Sequence, residues 1–490
     1  MATAEAQPLL GPALQDPEEG SKHTDVILDF NPDGDIDNPR EWTPAFKWLI
    51  VSLIASVAFT VTFTCISVVP LAGMIVDDLD NGSASSSSSA LLVTIWEFGE
   101  AAGPLLIAPL SEVYGRYPVF NACNVLFVAA TVLASLSRSS ATFIGARALT
   151  GLAVASNTLG PAIIGDMFIS EQRGTAMSFS VLAPLIGGAI GPAISGAIAQ
   201  TLGWRGVLLV AAGLAATCAV LFLVCFKETY KMAILRRRVA NMTGSEETVV
   251  PHGRHGDGSL RELWHAISRP AAVLADSGVL IALSIFGSVC FSYYYVLTVT
   301  LPGILQDVYD FSPAMIGVSF LSFSIGSFIS IIICNLGLDR IYIKLRGPDA
   351  TKGKPEHRLP FTILGAFLLP VSVLGYGLVA QYHAPVSLLL LSTALLGFTL
   401  LFTLISLMAY VVDAFGLYSA SALTGVIVTR CLMGTFLPLV AAPLIERFGY
   451  GLAFTCFAGI SLVLAPIPIV VFVYGESWRQ RSKYTMDAVH

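Results

Sequence analysis

Trp96-Glu97-Phe98-Gly99-Glu100-Ala101-Ala102-Gly103-Pro104 runs on to Pro109-Leu110-Ser111-Glu112-Val113-Tyr114-Gly115-Arg116. This is a membrane-length apolar helix that carries two carboxylates and closes on a tight polar turn. Ionisable groups at membrane depth are expensive and are functional by default. The turn joins this helix to the next apolar run and acts as a hinge between two spans.

Outward from that stretch the chain keeps the same character. Its 490 residues are 55% hydrophobic and 12% charged, against about 25% charged in a soluble domain. A run of about 20 apolar residues crosses a bilayer as a helix, and such a helix satisfies its own backbone hydrogen bonds. Twelve runs of this kind are read at 46–70, 90–109, 119–137, 141–164, 175–199, 206–226, 278–300, 313–335, 360–380, 385–411, 419–442 and 451–474. The expected fold is therefore an all-α membrane protein of twelve transmembrane helices in two six-helix bundles. Its divisions are a disordered tail over 1–45, a first bundle over 46–226, a central loop over 227–277, a second bundle over 278–474 and a tail over 475–490.

Placing both termini in the cytoplasm puts 22 of the 27 Lys and Arg residues inside and three (Arg138, Arg205, Arg447) outside, with Arg147 and Arg430 inside spans. That bias sets the orientation. Arg236-Arg237-Arg238 after the sixth run is an inside-positive marker lying on anionic lipid. Asn81-Gly82-Ser83 in the first outer loop is a glycosylation acceptor pattern, whereas Asn241-Met242-Thr243 lies on the cytoplasmic side. Glu5-Ala6-Gln7-Pro8-Leu9-Leu10 has the form of an acidic dileucine signal. The plasma membrane is the expected location, with a vacuolar or endosomal membrane as the alternative.

Several function classes fall away. The seven histidines are scattered and no G-x-x-x-x-G-K-[ST] loop occurs, so neither a metal centre nor ATP hydrolysis by this chain is expected. No cofactor and no nucleic-acid partner is expected. The eight cysteines sit in apolar runs without a C-x-x-C pair and read as small core residues.

The intramembrane charges carry the chemistry. Glu97 and Glu100 share a helix face. With 1.5 Å of rise per residue, Glu97 lies about 10 Å and Glu100 about 15 Å from the outer edge, Arg147 about 9 Å in, and Arg430 about 16 Å up from the inner edge. Depth therefore pairs Glu97 with Arg147 and Glu100 with Arg430. A carboxylate whose charged neighbour leaves in one conformation changes its affinity for a proton, which is what proton coupling requires. Phe59 and Phe63, with Phe286, Tyr293, Tyr294 and Tyr295, offer stacking surfaces for flat cargo, and Asn157 and Gln306 offer hydrogen bonds.

Several motifs, in order, resemble those of the major facilitator superfamily. Residues 109–116 resemble its signature between spans 2 and 3. Arg147-Ala148-Leu149-Thr150-Gly151 resembles its R-x-x-x-G motif. Gly187-Gly188-Ala189-Ile190-Gly191-Pro192 with Gly196 resembles the motif of its antiporters. Asn38-Pro39-Arg40, Lys227-Glu228-Thr229-Tyr230, 355–360 and Tyr410-Val411-Val412-Asp413 resemble the fungal twelve-span drug:proton antiporters. Glu112 stands where the superfamily usually has Asp, and Arg116 is followed by Tyr117.

The resemblance implies a proton-coupled exporter of a drug, toxin or secondary metabolite, functional as a monomer. The alternative is a facilitator or proton symporter for a polar nutrient or organic acid. It also implies a cytoplasmic latch in which Glu112 accepts hydrogen bonds from the start of span 11 and Arg116 pairs with Asp166. Gly115 shapes the turn, and Asp339, Arg340 and Asp413 form the counterpart in the second half. Gly187, Gly191 and Pro192 give span 5 a thin, bending or sealing face between the bundles.

Overall fold

The computed structural model describes residues 30, 35–80, 86–243, 260–346 and 353–485, and they contain no β-strand. Asn81 and the dileucine stretch at 5–10 lie outside the described residues. The helices are α1 Pro44–Ile66, α2 Ala72–Asp80, α3 Ser86–Tyr114, α4 Arg116–Ser135, α5 Ser140–Leu152, α6 Ser156–Met167, α7 Ser170–Cys225, α8 Lys231–Thr243, α9 Leu260–Asp276, α10 Gly278–Tyr309, α11 Pro313–Arg346, α12 Pro360–Gln381, α13 Val386–Phe415, α14 Ser419–Leu464 and α15 Pro466–Arg479. Ten helical stretches among the described residues are long and apolar enough to cross a membrane.

Local chemistry sets the helix ends. Pro44 and Pro360 open α1 and α12, where a missing N–H costs nothing. Ser139 and Ser277 cap α5 and α10 by accepting from Thr142 N and Leu280 N. Two long helices contain a sharp break at a glycine in the left-handed region: Gly203 in α7 (φ 68°) and Gly449 in α14 (φ 76°). The run read as one helix over 141–164 is instead α5 and α6, separated at Ala153–Ala155. The segment read as a loop over 227–277 contains α8 and the amphipathic α9, whose apolar residues Leu263, Ile267, Val273 and Leu274 recur at helical spacing.

The buried apolar residues form two large clusters. One joins α1, α3, α4, α6 and α7, with Phe120 and Phe222 stacked 4.1 Å apart at its centre. The other joins α10, α12, α13 and α14, and it reaches Val69 and Val93 of the first half. One face of the bundle carries Gly115, Phe226, Pro355–Arg358, Gly416 and Arg479; here it is termed the near face, the side on which the described segments before α1 and after α15 pack, through Arg238–Asp35 and Ser482–Asp276. The distal face carries Gly203, Asp310, His383 and Gly449.

Phe120→Ala removes a wholly buried ring from the first core. It is expected to destabilise the protein by about 3–5 kcal/mol, read as a lowered melting temperature in detergent. Val125→Ala, at a residue 66% exposed on the same helix, is expected to leave the melting temperature nearly unchanged.

Candidate transport site

α3 and α14 cross at mid-height, and the intramembrane charges collect there. Thr94 Oγ1 donates to Thr435 O at 3.2 Å, and Thr435 Oγ1 donates back to Thr94 O at 3.4 Å. Phe98 meets Phe436 edge-on. One helical turn deeper, Glu97 is 2% exposed, and Gly434 leaves room for its carboxylate. Tyr295 of α10 donates its hydroxyl to Glu97 Oε1 at 2.5 Å, which joins the two halves of the chain. Glu97 Oε2 has no hydrogen-bond partner.

Neither pairing inferred from depth forms. Arg147 is buried and spent on the end of α1: its guanidinium donates to Thr64 O (3.1 Å) and Cys65 O (2.8 Å) and lies over the Trp96 ring. These are carbonyls at a helix C-terminus, where a cation is favoured. Glu100 accepts instead from Trp96 Nε1 (3.2 Å) and from Asn157 Nδ2 (2.9 Å). Arg430 stacks over Phe291 with Cζ 4.2 Å from the ring centroid, within electrostatic reach of Glu97 and Glu100. It makes no hydrogen bond or ion pair within 4.0 Å to any described residue.

The aromatic surface is displaced from the expected one. Phe286 and Tyr293 are each 1% exposed inside the second core, where Tyr293 donates to Phe457 O at 2.9 Å. The partly exposed rings are Phe291 and Tyr294, with Phe323 of α11 5.0 Å from Tyr294. Phe59 and Phe63 of α1 lie face to face 6.2 Å apart, Phe63 buried and Phe59 partly so. Asn157 is exposed although it lies well inside its apolar stretch.

The distal end is closed by α7 against α11. A side chain at Gly196 would strike the backbone of Pro313, and one at Gly317 would strike Pro192 O. Pro192 and Gly196 abut the other half, whereas Gly187 and Gly191 make room for Phe59 and Phe63 within their own half. Towards the near face α9 lies against both α3 and α14, with Pro270 and Leu274 packed at Gly425.

The near-face turn has a different acceptor from the one expected. Glu112 is exposed and accepts no hydrogen bond from the start of α14. The capping carboxylate is Glu228. It accepts from Arg116 N (2.8 Å), Tyr117 N (3.1 Å), Thr229 N (3.1 Å) and Tyr230 N (2.9 Å). Gly115 has φ +100°, and a side chain there would meet this carboxylate. Arg116 Nε is 3.6 Å from Asp166 Oδ2, its Nη1 donates to Ser111 Oγ, and it lies over the Tyr230 ring. In the second half the cation is Arg358 and not Arg340, which is exposed. Arg358 bonds Asp413 at 2.8 Å and also Asp339. Burial opposes the Arg358 charge, but the two carboxylates outweigh it and hold its pKa above the ordinary value.

The sequence profile of the Major Facilitator Superfamily matches residues 51–429. The efflux pump radE of Floropilus chiversii is 31% identical over 485 residues, covering 96% of this chain and 88% of that protein. The MFS-type transporter penM of Penicillium rubens is 31% identical, with 97% and 94% covered. Among solved structures, the bacterial homolog of the human lysosomal transporter Spinster, inward-facing and unoccupied, superposes with a TM-score of 0.61 at 12% identity, covering 91% and 99%. The xylose transporter XylE from E. coli, partially occluded and inward open, gives 0.63 at 13% identity, covering 88% and 98%.

Glu228→Ala strips the acceptor from two backbone N–H groups at the start of α4, those of Arg116 and Tyr117, and from those of Thr229 and Tyr230 after α7. A loss of about 2 kcal/mol or more is expected in detergent melting, with Glu228→Gln retaining part of it.

Proposed function

The chain belongs to the major facilitator superfamily, and on that premise we propose that it is a proton-coupled secondary transporter exporting a small organic molecule, whether drug, toxin or secondary metabolite, by alternating access. Curated relatives named as an efflux pump and as MFS-type transporters, similar along nearly the whole chain, support the transport reading.

Twelve spans are proposed. Of the ten apolar stretches, residues 172–225 and 419–479 comprise 54 and 61 residues. At ~1.5 Å per residue each exceeds twice a ~30 Å hydrocarbon core, and each is broken at a glycine. Two six-helix bundles over 46–226 and 278–474 follow, with the near face cytoplasmic and the protein in the plasma membrane. The conformation is then the one that loads cargo from the cytoplasm. Closing the near face would bring Glu112 to the start of α14, with Arg116–Asp166 and Arg358–Asp413 keeping each half rigid as it turns.

The observation that carries proton coupling is Glu97, buried at the junction of the halves with one oxygen bonded by Tyr295 across it. Opening the distal end separates α3 from α10 and takes that donor away. A carboxylate that exchanges its hydrogen-bond donor for access to outside water changes its proton affinity between the two states, and the cycle uses that difference. Arg430 sets the local field, Glu100 with Asn157 faces the cargo, and Arg147 anchors α1 to α5. Phe291 and Tyr294 form the stacking wall.

Inside-out vesicles with acid inside provide the test. Uptake of a flat fluorescent dye is expected to follow the gradient, to fall at least about tenfold in Glu97→Gln, and to fall less in Glu100→Gln. Uptake that ignores the gradient in the wild-type protein would favour a facilitator.

A further inference from the structure

A pocket of about 400 Å³ opens at the near face beside the start of α1, the exit of α7 and the helix α8. It is lined by Ile36, Trp42 and Ile234 and by the charged residues Asp37, Lys227, Glu228, Arg237 and Arg238. Its charges are not equivalent. Asp37 is held by Arg238 at 2.6 Å, and Arg238 also forks onto Asp35 at 2.8 Å. Glu228 spends its oxygens on the backbone N–H groups of Arg116, Tyr117, Thr229 and Tyr230. Both carboxylates are thus already satisfied.

Two cations remain. Lys227 is exposed and, among the described residues, has the Phe46 ring as its one partner, at 5.5 Å. Arg237 is exposed and has no hydrogen-bond or ion-pair partner among the described residues. The rim beside them is apolar. Ile36 is 93% exposed, an unusual state for an isoleucine beside a tryptophan, and Trp42 is fixed by its Nε1 donating to Ile36 O at 3.2 Å.

A pocket lined by two cations without an ion-pair partner among the described residues, and by Ile36, Trp42 and Ile234, takes a phosphate-bearing anion with an apolar tail. We propose that it binds the headgroup of one anionic phospholipid, whose phosphate sits between Lys227 and Arg237 and whose acyl chain passes Trp42 and Ile36. The inference rests on the membrane-transporter reading. A free phosphate would use the cations but leave the apolar rim in water. The site has mechanical reach, because Glu228 both borders the pocket and caps α4 at Arg116. A bound lipid therefore braces the segment at 35–42, α8 and the hinge turn as one unit.

Full-length protein purified in detergent would be titrated with dioleoylphosphatidylglycerol, dioleoylphosphatidylcholine or inorganic phosphate, with bound molecules counted by native mass spectrometry. One phosphatidylglycerol is expected to bind in preference to phosphatidylcholine. Lys227→Gln and Arg237→Gln are each expected to weaken it about fivefold and together about thirtyfold. Arg236→Gln, one residue away and outside the pocket, is expected to change it less than about twofold. Trp42→Ala is expected to weaken lipid binding as well. Equal losses from Arg236→Gln and Arg237→Gln would overturn the site in favour of a diffuse basic surface. Inorganic phosphate that binds as tightly as the lipid would overturn the lipid assignment. A protein that transports its dye yet binds both lipids alike would sink this inference alone and leave the transport function standing.

Discussion

A carboxylate buried between two halves of a membrane protein must find donors on one side or the other. The hydrogen bond from Tyr295 to Glu97 meets that requirement by crossing the junction. Around it the halves interlock through small residues and mutual backbone bonds: Thr94 with Thr435, Gly434 beside the carboxylate, and Gly196 and Gly317 admitting the opposing backbones. Close approach of this kind is what joins helices where lipid supplies no hydrophobic drive. The distal closure and the placement of the charged residues are thus one arrangement.

The near face is organised differently, and its two halves repeat each other. In each, an arginine at the start of a helix is paired with an aspartate at the near-face end of a later one: Arg116 of α4 with Asp166 of α6, and Arg358 before α12 with Asp413 of α13. In each, a carboxylate close to the same turn is buried: Glu228 on backbone N–H groups, and Glu356 beside Arg479 at 3.4 Å. These bonds lie within halves. They stiffen each half without tying it to the other; towards the near face it is α9 that lies against both α3 and α14.

Much of this was legible in the sequence. Apolar run lengths located the long helices, and the order of the motifs from residue 109 to residue 196 indicated the family. What depth and spacing do not contain is rotation about the helix axis. Arg147 lies over the ring of Trp96, next in sequence to Glu97, but turns its guanidinium to the carbonyls of Thr64 and Cys65. Phe286 and Tyr293 are buried within the core, whereas Phe291 and Tyr294, on the same helix, pack at its partly exposed edge. Arg340 and Arg358 have equal claims on Asp339 by charge alone, and only the fold of the turn at Pro355–Arg358 selects Arg358. The amphipathic spacing of α9 was present in the sequence, but the polar residues around it made the segment read as a loop.

The most direct test of the central claim is a distance between the halves at the distal face, measured by pulsed electron resonance between labels at positions 138 and 447 in a background without the native cysteines. The comparison would be among wild type, Glu97→Ala, Tyr295→Phe and the double variant. The account predicts that each single change shifts the population towards the longer, open distance, and that the double variant shifts it no further, because both remove the same bond. Shifts that add, or distances unmoved by either change, would contradict the role given to Glu97 and Tyr295.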